Sequence, residues 1–325
     1  MIALSVSIEG AAGLTWPRWK EWVAAAERWG LAGLFVSDHL VGPFPPDPPS
    51  LEALAALVYA ADRSERVHIG TMVSPLSIRD PVMLVRQALA LDDLSDGRMV
   101  LGVGAGWNQR EHDMFGYDLG DVRTRMDRFA EGVAVIAGLL RSDAPVSHEG
   151  QFFHLHDAVL LPRPQRLGGP PLMIGGSGPR RTARLVAKYA DTWNAQHLAP
   201  DELRERNAAL DALIREEGRS PSDVRRTLTT PILLRDSEEE LAERVRRIPF
   251  APLIGGGAAE AVVGFMRAQL GGFVGTTEEV VARIGAYAAA GLEELVVQWF
   301  GVDDLDGMAM IAERVLPRLS AQVGR

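Results

Sequence analysis

Asp38 and His39, neighbours in Ser37-Asp38-His39, set a carboxylate beside the side chain that titrates nearest neutral pH. Such a pair can give or take a proton, or it can be a satisfied structural contact. Gly175-Gly176-Ser177-Gly178-Pro179-Arg180-Arg181 suits a different task. Its glycines let backbone approach a ligand, proline favours a first helical turn, and free amides at a helix start attract an anion. Arg180 and Arg181 add charge-assisted hydrogen bonds, so the segment reads as a phosphate site or as a tight strand–helix turn. Gly102-Val103-Gly104-Ala105-Gly106-Trp107-Asn108 has small residues that would let a planar ring lie at a strand end, though it misses the dinucleotide fingerprint. Glu111 follows; if helical it either reaches that pocket or lies on the surface. Gly70-Thr71-Met72-Val73-Ser74-Pro75 runs from a strand into an irregular turn. His112, His154 and His156 have no carboxylate at recognisable ligand spacing, so no metal is expected.

Repeated strand–helix units must carry these segments. Apolar runs predict strands at 2–8, 34–37, 67–73, 99–103, 172–174, 191–195, 227–234 and 294–300. Between them the spacing predicts helices at 51–61, 82–94, 123–140, 179–190, 200–217 and 277–290, with a last one at 305–319. Thr15 and Pro17 start the first helix, whose apolar stripe is Trp16, Trp19, Val23, Ala26 and Trp29. Residues 145–160 alternate around Glu149-Gly150 as a hairpin. Residues 249–275, bounded by glycine clusters, read as an insertion with a mobile loop at each end. Eight parallel strands with right-handed crossovers close a barrel. The expectation is therefore an α/β fold, a (β/α)8 barrel, formed by residues 1–325 as one domain.

Composition limits what such a barrel does. The chain has 325 residues, 47% hydrophobic and 24% charged, with a formal net charge of −9 and no cysteine. Disulfides and thiolate metal sites are excluded, and no basic footprint marks nucleic acid or an anionic membrane as partner. No apolar run is long enough to span a bilayer, so a cytoplasmic location is expected. Lyase or isomerase chemistry through a strand-end lysine is disfavoured, because Lys20 and Lys188 both fall on expected helices.

Six segments in this order resemble the bacterial luciferase-like monooxygenase superfamily, most closely its F420-dependent oxidoreductases. They are Gly33 to Leu40, Arg66 to Thr71, Leu94 to Arg98 leading into Leu101 to Trp107, Pro171 to Gly178, Ala190 to Asn194, and Gly275 to Val280. The resemblance implies a cofactor at the strand ends, a small-molecule substrate and a homodimer. It implies His39 as the proton-transfer residue, with Asp38, Met72, Val73, Ser74 and Trp107 at the cofactor ring. Ser177, Gly178, Arg180 and Arg181 align with the phosphate site, and a cis peptide is implied at Met72–Val73. Sugar-phosphate dehydrogenases of the family carry a catalytic glutamate where Trp107 stands, which argues against sugar-phosphate oxidation. The function expected is hydride transfer between coenzyme F420 and a small organic molecule. An FMN-dependent monooxygenase is the alternative, and a flavin-binding barrel without turnover a second.

Overall fold

The computed structural model describes residues 2–321. In chain order it begins β1 (Ala3–Ile8), α1 (Trp16–Trp29), β2 (Gly33–Val36), α2 (Ala53–Arg63), β3 (His68–Thr71), β4 (Ser74–Pro75) and α3 (Pro81–Leu94). Next come β5 (Met99–Gly104), α4 (Gln109–Phe115), α5 (Val122–Arg141), β6 (Val146–Glu149), β7 (His154–Ala158), β8 (Leu172–Gly175) and α6 (Arg181–Tyr189). Then follow β9 (Thr192–Gln196), α7 (Pro200–Glu216), β10 (Arg225–Thr230), β11 (Ile232–Leu234), α8 (Glu238–Arg246), α9 (Ala259–Leu270) and β12 (Phe273–Gly275). The chain finishes with α10 (Thr277–Ala289), β13 (Glu294–Trp299), α11 (Leu305–Arg314) and α12 (Leu316–Ala321).

Strands pair in the order β3-β2-β1-β13-β10-β9-β8-β5, and β3 also pairs with β5, so the sheet closes. Every pairing in this ring is parallel. The molecule is an α/β (β/α)8 barrel, as its strand–helix repeat predicts. All eight C-terminal strand ends therefore share one rim. Strand residues alternate between faces. Inward, Phe35, Met72, Val100, Met173 and Val296 fill the barrel. Outward, Leu4, Val6, Leu34, Ile69, Leu101 and Leu295 join the helices in a larger core.

Local chemistry sets several helix starts. Asp80 before Pro81 accepts from the Met83 amide, and Asp121 accepts from Thr124. Thr276 and Glu279 form a reciprocal capping box at α10. On α1 the stripe differs from expectation: Trp19 and Trp22 are fully buried, whereas Trp16 is 42% exposed.

Three boundaries move. The third strand stops at Thr71 and resumes as β4, with Met72–Val73 between them in a cis peptide. The expected 227–234 strand breaks at Pro231, whose missing N–H cannot continue a ladder. The insertion consequently starts near Ile232 rather than 249. There β11 pairs with β12, and α8 and α9 enclose a separate core of Leu233, Leu241, Val245, Ile248, Val262 and Met266. The hairpin forms as β6–β7.

Candidate active site

His39 follows β2, one residue past Asp38, and its ring is 19% exposed. Its Nδ1 lies 3.0 and 3.1 Å from the two carboxylate oxygens of Glu111, which is fully buried on α4. The Leu40 amide donates to the same carboxylate at 3.0 Å. A carboxylate only accepts, so Nδ1 carries the hydrogen and Nε2 is left as the working nitrogen. Burial disfavours the imidazolium, but Glu111, with help from Glu9 and Asp38, outweighs it and raises the His39 pKa above its ordinary value. The group is thus poised to hold or pass a proton near neutral pH. The Trp107 ring meets His39 edge-on at 5.5 Å and is 59% exposed.

Asp38 is buried and already occupied. It accepts from Ser74 Oγ at 2.6 Å and from Arg79 Nε and Nη2 at 2.9 and 2.6 Å. Arg79 also donates to Glu52 at 2.6 Å. Burial opposes the Arg79 charge, yet the two carboxylates hold its pKa above the ordinary guanidinium value. Asp38 therefore fixes the strand-two and strand-three ends to one another.

Val73, with the Thr71 carbonyl at Gly102, accounts for the strand-end glycines. A Cβ built on Gly104 would lie 2.5 Å from the Val73 side chain, one on Gly175 3.0 Å and one on Gly102 3.2 Å. Sequence reasoning reserves that space for a planar ring; in the structure Val73 fills it, so a ring must lie above Val73. These contacts also link the two halves of the site. Gly175 touches Val73, and the next residue, Ser74, bonds Asp38 beside His39.

On the other half, Ser177 Oγ donates to the Gln196 carbonyl at 2.7 Å and accepts the Gln196 amide at 2.9 Å, which ties β8 to β9. Gly178, Arg180 and Arg181 are exposed. Helix α6 has no side-chain cap, unlike α2, α3 and α5; the Ala183 amide bonds the Gly178 carbonyl at 3.3 Å, while the Arg181 and Thr182 amides have no backbone acceptor among the described residues. Arg181 leans back onto Asp127 of α5, and Arg180 has no ion pair among the described residues. An uncapped helix start beside a glycine turn and a guanidinium is a donor set that suits a phosphate group.

Sequence reasoning left Glu111 undecided and passed over Arg79, Glu9 and His197. The Asn108 side chain, bonded to Val41 O at 3.0 Å, holds the start of α4 against the loop after β2, and this turns Glu111 inward. Glu9 follows β1 and accepts from Gln298 at 2.7 Å. His197, just past β9, adopts φ 56°, and burial lowers its pKa. His112 is a structural residue, bonded to Asn108 O and Ser77 Oγ. Among the described residues no cluster of potential ligands forms a metal site.

The luciferase-like monooxygenase family model matches residues 3–294. An F420-dependent glucose-6-phosphate dehydrogenase of Amycolatopsis mediterranei is 29% identical over 324 residues, covering 93% of this chain and 94% of the relative. A 4-hydroxyprotoasukamycin monooxygenase of Streptomyces nodosus subsp. asukaensis is 39% identical over 130 residues, 40% of this chain and 34% of that protein. Among solved structures, an F420-dependent secondary alcohol dehydrogenase in complex with an F420-acetone adduct superposes with a TM-score of 0.80. It is 22% identical and covers 97% of this chain and 99% of its own.

Proposed function

The chain belongs to the luciferase-like monooxygenase family, and on that premise we propose that it is an oxidoreductase that moves a hydride between coenzyme F420 and a small organic substrate. One observation carries the reading: the His39–Glu111 pair and the uncapped start of α6 occupy the same rim, joined through Asp38, Ser74, Val73 and Gly175. A ligand that carries a flat ring and a phosphate on one chain would bridge those two places.

In this reading the α6 amides, Gly178 and Arg180 hold the phosphate. Met72, Val73 and Ser74 back the ring, and Trp107 flanks it beside His39. The deazaflavin, when bound, supplies the two-electron chemistry. In the oxidative direction His39 Nε2 would take the hydroxyl proton of a substrate whose hydride the bound coenzyme would accept, and in reduction it would return that proton. Glu111 keeps Nδ1 protonated throughout and stabilises the imidazolium that forms.

Incubation with coenzyme F420 or FMN, gel filtration and an absorbance spectrum test the cofactor. Retention of the deazaflavin, weakened about tenfold by Arg180→Ala, supports the reading, since one charge-assisted hydrogen bond is worth roughly that factor. Retention of FMN alone overturns it. The 39% identity to a monooxygenase favours a second reading, FMN-dependent oxygenation on the same residues, and the same experiment separates the two. His39→Ala distinguishes either enzyme from a barrel that only binds cofactor: an enzyme loses rate and keeps its cofactor.

The reading extends to a cytoplasmic homodimer. Support for the dimer is the shallow groove of Trp16, Val58, Tyr59 and Leu94 on α1 to α3, an exposed apolar surface. A cysteine-free chain suits a reducing compartment. Among the described residues no helix is long and apolar enough to cross a membrane. Sedimentation equilibrium at the monomer mass would reject the dimer.

A further inference from the structure

The mouth of the barrel around His39 is acidic, and its cations are spent. Glu111, Glu9 and Asp38 act on His39, and Glu52 and Asp47 join the adjoining loops through Arg79 and Arg110. The guanidiniums bonded into its loops are both neutralised. Arg79 is held by Asp38 and Glu52, while Arg110 is held by both oxygens of Asp47, at 2.7 and 2.6 Å, and by the Gly42 carbonyl at 2.9 Å. The unspent cation and helix-start amides lie instead at α6, where the cofactor phosphate is placed. Large apolar side chains stand open at the mouth: Trp107 and Phe44 are each 59% exposed. The loop carrying Phe44 is tied to the Trp107 segment through Asn108 and Arg110.

A charged phosphate brought here would face carboxylates at short range with no free guanidinium to bind it, and its desolvation would go uncompensated. A neutral apolar body gains from covering Trp107. Resting on the oxidoreductase reading above, we propose that the substrate is an uncharged, largely apolar alcohol or carbonyl compound, seated against Trp107 and Phe44 with its one reacting oxygen on His39, and that sugar phosphates and other anions are rejected.

The test is a matched pair, 2-naphthol and 2-naphthyl phosphate, titrated by calorimetry into the full chain loaded with coenzyme F420. Should the coenzyme not bind, saturating inorganic phosphate occupies the α6 site instead. Wild type should bind the naphthol at least about tenfold more tightly than its phosphate. W107A should lose about tenfold or more of that affinity, and W107F should keep most of it, as expected for an aromatic anchor. Trp107 is mostly exposed, so its truncation leaves the fold intact. Equal or tighter binding of the phosphate, binding of neither compound, or naphthol affinity unchanged in W107A overturns the inference. Coenzyme retention is read separately by absorbance. A chain that takes naphthol through Trp107 but no deazaflavin sinks the proposed cofactor, and one that holds the deazaflavin but prefers the phosphate sinks only the substrate class.

Discussion

Replacing Glu111 by glutamine isolates what the buried carboxylate does for His39. The two side chains are nearly isosteric, and Glu111 accepts from two donors, His39 Nδ1 and the Leu40 amide. In E111Q the amide oxygen serves Leu40, and the NH2 group then faces Nδ1. Two donors cannot share one bond, so the imidazole moves its proton to Nε2 and Nδ1 becomes the acceptor. The number of hydrogen bonds is preserved, and stability should change by no more than about 1 kcal/mol. Proton transfer at Nε2 is lost, and the rate should fall by about 10²- to 10⁴-fold, the usual worth of a positioned acid–base group. E111A behaves differently. It leaves two half-buried donors without their acceptor, each costing up to about 1–2 kcal/mol after partial solvation, so destabilisation of about 1–3 kcal/mol is expected. Nitrogen-15 NMR of the histidine rings reads the tautomer, urea unfolding the stability, and coenzyme absorbance the rate. An E111Q protein that kept Nδ1 protonated and turned over at the wild-type rate would refute this account of the pair.

Further outcomes follow from the same geometry. Because the folded-state pKa of His39 is raised, its contribution to stability is fully present below the ordinary histidine range and is lost as pH rises through the raised value. Urea midpoints measured across that window should decline in wild type and stay flatter in H39Q. Gly102→Ala puts a methyl 2.0 Å from the Thr71 carbonyl oxygen, so backbone must move; a loss of about 1–3 kcal/mol or more is expected in thermal unfolding. Asp304 is buried and holds Arg244 and Arg247 of the insertion. Asp304→Ala takes one carboxylate from the buried Arg244 guanidinium, which keeps Glu240 at 3.0 Å, and one from Arg247; a loss of about 1–3 kcal/mol is expected, and hydrogen exchange should show lost protection in residues 232–275.

Periodicity carried most of the architecture. Continuous apolar runs such as Leu101 to Val103 mark strands buried on both faces, and helical spacing marks the helices between them. These signals are local, so they survive without coordinates. Pro231 was equally local, yet the apolar residues either side of it masked the break it causes, and the insertion was placed too late. Helix α4 is only seven residues and too short for a periodic signal, which left Glu111 undecided.

The amino-acid order by itself determined the closed barrel, the shared rim and the position of the Asp38–His39 and Gly175–Arg181 segments upon it. Only the tertiary structure decided which groups are free to act. Glu111 reaches His39 across 72 positions of sequence. Arg79 captures Asp38, Val73 takes the room above three glycines, and Arg181 turns to Asp127 while Arg180 stays open. Those outcomes depend on distances of a few ångströms between residues far apart in the chain. A spacing pattern encodes which face a residue lies on, but not which distant partner meets it there.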